Sequence, residues 1–213
     1  MPERTFQTLY PQYDVLEKFH TPSWNAQTRA VVSRRLREVP TRRFFSELQW
    51  KTLQAVAERV IPQPERSEPV PIVPWIDAKL SKGRGDGTRY ASLPPQAECW
   101  RRGVDAIEAE AQQRYGRSFH VLDPVEQDLL LRALDNQETE SPDWHGLPSR
   151  SFFRHVLLRA VVEVYYAHPA AWSEIGFGGP ASPRGYVRLA TNRRDPWEGD
   201  EANPEPLKAA RRR

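Results

Sequence analysis

The chain has 213 residues, of which 38% are hydrophobic and 28% charged, and it contains 20 prolines. This length allows one large or two small domains with a sizeable core. The formal net charge is +3, with basic residues concentrated in residues 1–43 and 184–213 and a mildly acidic centre. No run reaches the roughly 18 to 20 apolar residues that span a bilayer, so we expect no direct membrane insertion. A single cysteine, Cys99, excludes an internal disulfide framework, a cysteine-rich zinc site and an iron–sulfur cluster held by this chain.

Apolar residues at helical spacing, together with helix-start signals, predict about five to six helices. The predicted helices cover approximately residues 23–37, 46–60, 74–82, 94–115, 123–134 and 149–168. Two helix starts have the spacing of a capping box, in which a cap residue and the third helical residue satisfy each other's backbone donors. They are Ser46 with Gln49 and Asp123 with Glu126. Alternating patterns typical of strands are absent over any useful length. The sequence therefore predicts an all-α protein.

The domain organisation follows from where these helices begin and end. Residues 1–20 contain several aromatic residues but no helical period, which predicts an aromatic arm. Residues 21–189 hold the helices and form a single helical domain. Residues 190–213 are polar and predict a tail. We expect one all-α domain with extended arms at both ends.

Two glycine-rich segments are candidates for a special backbone role. The GRGDG segment at 83–87 lacks the lysine and hydroxyl pair of a phosphate-binding loop and follows no strand, which favours a turn that ends a helix. The segment GFGGPASPRGY at 176–186 neither follows a strand nor starts an obvious helix. It favours close contact with a protein surface or with the chain's own core over direct contact with a cofactor.

No arrangement of reactive side chains indicates catalysis. The histidines form no pair with zinc-ligand spacing. Cys99 has no identifiable base, so a structural thiol is favoured, and His155 on an apolar helix is favoured as a packing residue. No basic stripe interleaved with aromatics indicates nucleic-acid binding. We predict no catalytic, cofactor-binding or metal-binding residues, whereas seven tryptophans in so polar a chain favour a protein interface.

Four segments resemble a known family in their order and spacing. They are FFSELQWKTLQAVAERVIPQP at 44–64, VPIVPWIDAKL at 70–80, FHVLDPVEQDLLLRAL at 119–134 and FFRHVLLRAVVEVYYAHPAAWSEIGFGGPASPRGY at 152–186. Together they are similar to the gluconate 2-dehydrogenase subunit 3 family over about residues 44–189.

The resemblance implies a small, non-catalytic accessory subunit. Its partner would be a large flavoprotein dehydrogenase of the glucose–methanol–choline type that oxidises a sugar, a sugar acid or a polyol. The FAD and the catalytic histidine would belong to that large subunit, and a cytochrome subunit often accepts the electrons. Members of the family frequently carry a twin-arginine export signal. The first residues here contain no apolar signal region, so we expect a cytoplasmic protein, with periplasmic co-export on a signal-bearing partner as the alternative.

Six aromatic and proline residues near the two ends of the helical domain are the predicted partner contacts. They are Tyr10, Tyr13 and Trp24 on the N-terminal side, and Phe177, Pro180 and Tyr186 on the C-terminal side. Two other functions stay open. One is a transient assembly chaperone that leaves the mature enzyme. The other is an independent small-molecule-binding protein, which would need a polar cavity lined by residues such as His155 or Tyr165.

Overall fold

The computed structural model describes residues 8–63, 66–83, 85, 87, 89–183, 185 and 198–200. The α-helices are α1 (Ala26–Arg37), α2 (Glu47–Val60), α3 (Ile72–Ser81), α4 (Gln96–Tyr115), α5 (Pro124–Asn136), α6 (Ser149–Phe152) and α7 (Arg159–Ala167). A π-helical segment, Phe153–Leu158, connects α6 to α7. Shorter 3-10 helices span Val15–His20, Phe119–Val121, Pro142–Trp144 and Pro169–Ile175. Within the described residues no strand forms, which confirms the all-α prediction.

Both predicted helix caps are present. The Ser46 hydroxyl accepts from the Gln49 N–H at 3.2 Å, and the Gln49 side-chain oxygen accepts from the Ser46 N–H at 3.0 Å. Asp123 and Glu126 make the same reciprocal pair at the start of α5. These contacts satisfy backbone donors that the helix itself leaves unpaired, and they explain why α2 and α5 begin where the sequence predicts. The GRGDG segment is predicted to be a turn that ends a helix. Its first residue, Gly83, follows α3 with a φ of 62°, as such a turn requires.

The 3-10 helices correct three details of the sequence prediction. Val15–His20 lies in the predicted arm, Pro142–Trp144 lies between the predicted helices 123–134 and 149–168, and Pro169–Ile175 follows the last predicted helix. Such short turns are too brief to produce a detectable apolar period. Of the predicted tail 190–213, only residues 198–200 belong to the described part of the chain.

The described residues form two compact units, one within Met1–Glu38 and Tyr166–Arg213, the other within Val39–Tyr165. The second unit contains α2 to α6, the π-helical segment and α7 as far as Tyr165. Its core is built from apolar and aromatic side chains on these elements. The largest fully buried ones are Trp100, Phe119, Phe152, Leu53, Ile107, Leu130, Leu134, Leu147 and Leu157.

A buried carboxylate fixes the chain that enters α2. Asp77 of α3 is fully buried and accepts hydrogen bonds from the backbone N–H groups of Arg43, Phe44 and Phe45 at 2.7, 2.9 and 2.9 Å. Three backbone donors satisfy a charge that would otherwise be costly to bury. Asp77 therefore holds the segment that ends at the Ser46 cap.

A second buried carboxylate fixes the loop between α5 and α6. Glu110 of α4 accepts from the N–H groups of Glu140 and Ser141 and from the Arg114 guanidinium at 2.6 Å. Burial alone would raise the pKa of Glu110, but the donors from Ser141, Arg114 and Glu140 lower it below its ordinary value. This loop is thus tied to α4, and its Trp144 ring is buried.

The unit formed by the two ends of the chain has a small core of its own. Its buried members are Val15, Trp24, Val32 and Trp172. The Trp24 and Trp172 rings meet edge to face, with centroids 6.5 Å apart. This cluster explains how the predicted aromatic arm is accommodated, since Val15 is completely buried against residues from the far end of the sequence.

Candidate partner interface

The N-terminal segment is shaped by a side-chain cap. Asp14 precedes the 3-10 helix Val15–His20, and its carboxylate accepts from the Leu16 N–H at 2.9 Å. The same carboxylate accepts from the Ser173 hydroxyl at 3.3 Å. The Ser173 oxygen in turn accepts from the Val15 N–H at 3.1 Å. A local capping motif is thereby joined to the C-terminal segment.

Further hydrogen bonds continue this contact along residues 174–178. The Thr8 hydroxyl donates to the Glu174 carbonyl at 3.0 Å, and the Tyr13 hydroxyl donates to the Phe177 carbonyl at 3.3 Å. The Lys18 ammonium donates to the Tyr13 hydroxyl at 2.7 Å. Residues 8–18 and 173–178 therefore form one continuous surface, within a single unit of the protein.

Two glycines of the GFGG sequence permit close packing within the chain. A Cβ atom at Gly176 would lie 2.6 Å from the Tyr10 ring, and one at Gly179 would lie 2.7 Å from the Trp24 ring. Real Cβ atoms do not approach neighbours so closely, and both glycines have positive φ angles of 66° and 75°. The predicted close approach is confirmed, and the surface approached is the chain's own aromatic cluster.

Trp24 requires a correction as a partner contact. Its side chain is only 1% exposed and packs between Trp172 and Phe19. The ring therefore belongs to the internal core of its unit and has no surface to offer a partner. Sequence reasoning identified the aromatic side chain but not the direction of its contacts, which depend on residues distant in the sequence.

The remaining predicted contacts have surface available where they are described. Phe177 is 37% exposed, and its ring lies edge to face on Trp172 with centroids 5.4 Å apart. Tyr10, Tyr13 and Pro180 are half-buried. Tyr186 lies outside the described residues. Two exposed apolar residues that were not predicted adjoin this group, and we define the arm surface as Leu9, Tyr10, Tyr13, Ile175 and Phe177.

Pro180 borders a groove in the same unit. The groove has a volume of about 420 Å³. Its lining mixes apolar and polar side chains: Asn25, Gln27, Thr28, Val31, Val32, Arg35, Trp172, Pro180 and Ser182. Val31 is 44% exposed at its edge. The groove offers a partner both apolar contacts and hydrogen-bonding groups.

An exposed apolar row in the other unit was missed by sequence reasoning. Val121, at the end of the 3-10 helix that precedes α5, and Val125 and Leu129, on α5 itself, are each more than half exposed. We call these three residues the α5 row. Of the apolar residues of α5, Leu130, Leu131 and Leu134 are buried, whereas Leu129 is exposed. A signal was present in the sequence, because α5 carries more apolar residues than one helix face can bury.

The unit Val39–Tyr165 also contains a groove with titratable side chains. His155, predicted as a packing residue, is exposed and stacks on Tyr90 with ring centroids 4.3 Å apart. Cys99 is buried at this groove, and burial raises the pKa of its thiol to about 11. The thiol is therefore neutral at ordinary pH and is a poor nucleophile.

Among the described residues, no group of three or more His, Cys, Asp or Glu side chains has a metal-binding arrangement. The described helices also include none with both the length and the apolar character needed to cross a membrane. The features that stand out are therefore surfaces and grooves: the arm surface, the α5 row and two concave sites.

A comparison with protein families identifies one that covers most of this structure. The sequence profile of the gluconate 2-dehydrogenase subunit 3 family matches residues 47–179. This range runs from the first residue of α2 to the last glycine of the GFGG sequence, which contains Phe177. The chain belongs to this family. As a gluconate 2-dehydrogenase subunit 3 protein, it is of a kind that serves as an accessory subunit of a dehydrogenase complex. No curated protein and no solved structure gave a significant match.

Proposed function

We propose that this chain is the non-catalytic small subunit that binds and stabilises a large FAD-dependent dehydrogenase of the glucose–methanol–choline type. The large subunit would bind the FAD and oxidise a sugar, a sugar acid or a polyol, and a cytochrome subunit would receive the electrons in some complexes. The observation that carries the proposal is the family match over residues 47–179. The proposed location of the complex is the cytoplasm, with periplasmic co-export on a signal-bearing partner as the alternative.

The arm surface supports this proposal physically. Leu9, Ile175 and Phe177 expose 40, 45 and 37% of their surface although they adjoin a well-packed core. Aromatic and apolar side chains held rigidly at a surface are typical of the central contacts of protein interfaces. The hydrogen bonds from Val15 and Tyr13 to residues 173 and 177 hold the surface in place before binding, which lowers the entropic cost of association.

Stabilisation of the partner would follow from mass action. A subunit that binds only the folded form of its partner adds about 2.7 kcal/mol of stability when its free concentration is 100 times the dissociation constant. An obligate contact of this kind buries roughly 2,000 Å² or more in total. The arm surface would supply one part of this buried area. The α5 row formed by Val121, Val125 and Leu129 is the second candidate contact.

The test begins with affinity capture of the full chain, expressed at native level from its own operon. The eluate is examined for flavin absorbance, for dehydrogenase activity and for the mass and ratio of its proteins. A large flavoprotein in fixed ratio with this chain supports the proposal. A flavoprotein that purifies in active, stable form without this chain, and does not bind it when the two are mixed, contradicts a lasting subunit role and leaves a transient chaperone.

Variants then locate the contact. Phe177→Ala should weaken binding by about 30-fold, the effect of losing a central aromatic contact. Val162→Ala is the matched control, because Val162 is equally exposed at 37% but lies on α7 in the unit Val39–Tyr165 and is no member of the arm surface. Leu129→Gln tests the α5 row separately. Unchanged affinity for Phe177→Ala by titration would remove the arm surface from the interface.

A further inference from the structure

A second concave site lies in the unit Val39–Tyr165, where the segment that leads into α4 faces the π-helical segment. It has a volume of about 270 Å³. Its lining residues are Arg89, Tyr90, Leu93, Pro94, Gln96, Cys99, His155, Val156 and Arg159. None of these residues belongs to the arm surface or to the α5 row, so the partner contacts proposed above leave this groove without a role.

The floor of the groove is apolar. Leu93 and Cys99 are 4% and 1% exposed, and Val156 is half-buried beside them. Cys99 counts as an apolar side chain here because its thiol remains protonated. Such a floor favours the apolar body of a ligand over a hydrated ion.

One wall of the groove is an exposed aromatic stack. The Tyr90 and His155 rings lie 4.3 Å apart at an angle of 26°, and Tyr90 remains 51% exposed. His155 belongs to the π-helical segment Phe153–Leu158, a rare local geometry that is frequent at functional sites. Because both residues of this stacked pair are exposed, the pair offers a planar ligand a large contact at little cost in side-chain entropy.

Two arginines give the groove its charge. Arg89 donates from Nη1 to the Leu93 carbonyl at 2.8 Å, which holds its guanidinium at the groove. Arg159 lies one turn after His155, and its Nε donates to Glu163 at 2.6 Å. The nearby Glu98 is paired with Arg102 at 3.2 Å. Among the described residues at the groove, Glu163 compensates only one of the two lining arginines, so these residues carry a net positive charge that favours an anion.

We propose that this groove binds a small organic anion that consists of one aromatic ring and a carboxylate. The ring packs on the apolar floor and against the Tyr90–His155 stack, while Arg89 and Arg159 bind the carboxylate. The class follows from size as well as chemistry, because 270 Å³ lies below the usual range of about 300 to 1,000 Å³ for pockets of drug-sized ligands. A planar guanidinium matches a carboxylate better than a point charge does.

The experiment titrates the full chain with sodium benzoate and follows backbone amides by two-dimensional NMR at constant ionic strength. Benzamide, which has the same ring and no charge, is the matched probe. Benzoate should shift the amides of Tyr90, Leu93, Cys99 and His155 in a saturable manner, and benzamide should bind at least about tenfold more weakly. Equal affinities, or benzoate shifts that do not saturate or that centre elsewhere, would overturn the proposal.

Variants of exposed residues separate the contribution of the two arginines from that of the aromatic stack. Arg89→Gln and Arg159→Gln should each weaken benzoate binding about fivefold or more and leave benzamide unchanged, whereas Tyr90→Leu should weaken both. Arg154→Gln is the control, because Arg154 is the neighbour of His155 on the π-helical segment but pairs with Asp135 and does not line the groove. If Arg154→Gln weakens benzoate as much as Arg159→Gln does, the effect is general electrostatics and the assigned site is wrong. The comparison of benzoate with benzamide on the unmodified chain decides the matter even if a variant folds poorly.

Discussion

Gly103 of α4 lies so close to Phe152 of α6 that a Cβ atom at position 103 would come within 2.3 Å of the ring. Phe152 is itself fully buried, with the Trp100 ring edge-on at a centroid distance of 6.0 Å and Trp144 at 6.2 Å. The ring cannot move aside without displacing these neighbours. The absence of a side chain at Gly103 therefore sets how closely the two helices pack.

Gly103→Ala should lower the free energy of unfolding by about 1–3 kcal/mol, the usual cost of inserting a methyl group into a filled core. Alanine favours a helix more than glycine does, so the loss would come from the collision and not from helix propensity. Chemical denaturation measures the change. The double variant Gly103→Ala/Phe152→Leu is the control, because a smaller side chain at 152 leaves room for the new methyl group. Simple addition of the two single losses would contradict the contact as the cause.

Asp77→Asn should lower the free energy of unfolding by about 2–4 kcal/mol. The amide keeps one oxygen, but its NH₂ group would face backbone donors where Asp77 now accepts from Arg43, Phe44 and Phe45. Hydrogen exchange of these three amides should accelerate more than exchange in α4. Glu58→Gln removes an exposed carboxylate and should change stability by less than about 0.5 kcal/mol. A comparable loss in both variants would mean that overall charge, and not the buried acceptor, is responsible.

The main helices could be predicted from the sequence because their signals are local. The caps at Ser46 and Asp123 are each complete within four residues, and both appear in the structure. The burial of Trp24 could not be predicted in the same way. It depends on contacts with Trp172 and Gly179, which no local pattern pairs with it.

The groove and the exposed row show a second limit of sequence reasoning. The apolar period around His155 is that of a regular helix, but in the structure Phe153–Leu158 is π-helical and the histidine is exposed beside Tyr90. A single sequence does not reveal such a change of turn. The surplus of apolar residues in α5 is visible in the sequence, but only the packed structure shows that Val125 and Leu129 are the ones that face outward.

The stability of the protein should depend on pH through Glu110. Its pKa in the folded protein is lowered, so the unfolded chain binds its proton first as the pH falls. The stabilisation is therefore complete at neutral pH and is lost as the pH falls through the ordinary carboxyl range to the lowered pKa of the folded protein. Urea denaturation across this range should show that the free energy of unfolding declines as the pH falls, and that the decline is smaller in Glu110→Gln. At pH 7 this variant should be less stable than the unmodified protein by about 2–4 kcal/mol.

The carboxylates Asp128 and Asp135 also have lowered pKa values, mainly through hydrogen bonds from Arg59 and Arg154, and they contribute to the same decline. Glu138→Gln is the control for Glu110, because this exposed side chain lies at the same loop without the buried donors. If Glu138→Gln flattened the pH profile as much as Glu110→Gln, the buried site would not be its source.

The contact of Gly176 with Tyr10 makes the arm surface testable without a partner. Gly176→Ala places a Cβ atom 2.6 Å from the Tyr10 ring and forces a side chain onto a φ of 66°. Gly116→Ala is a closely matched control, because Gly116 has a φ of 65° and its Cβ would meet nothing within 4 Å. Both variants carry the backbone cost of about 1–2 kcal/mol for an alanine in the left-handed region.

Only Gly176→Ala should also displace the arm. Hydrogen exchange at Tyr13, whose N–H donates to the Tyr10 carbonyl at 3.1 Å, should accelerate by about tenfold or more in that variant and stay unchanged in the control. Equal exchange in the two variants would show that Tyr10 does not hold the arm in place, and the arm surface would then be no rigid contact for a partner.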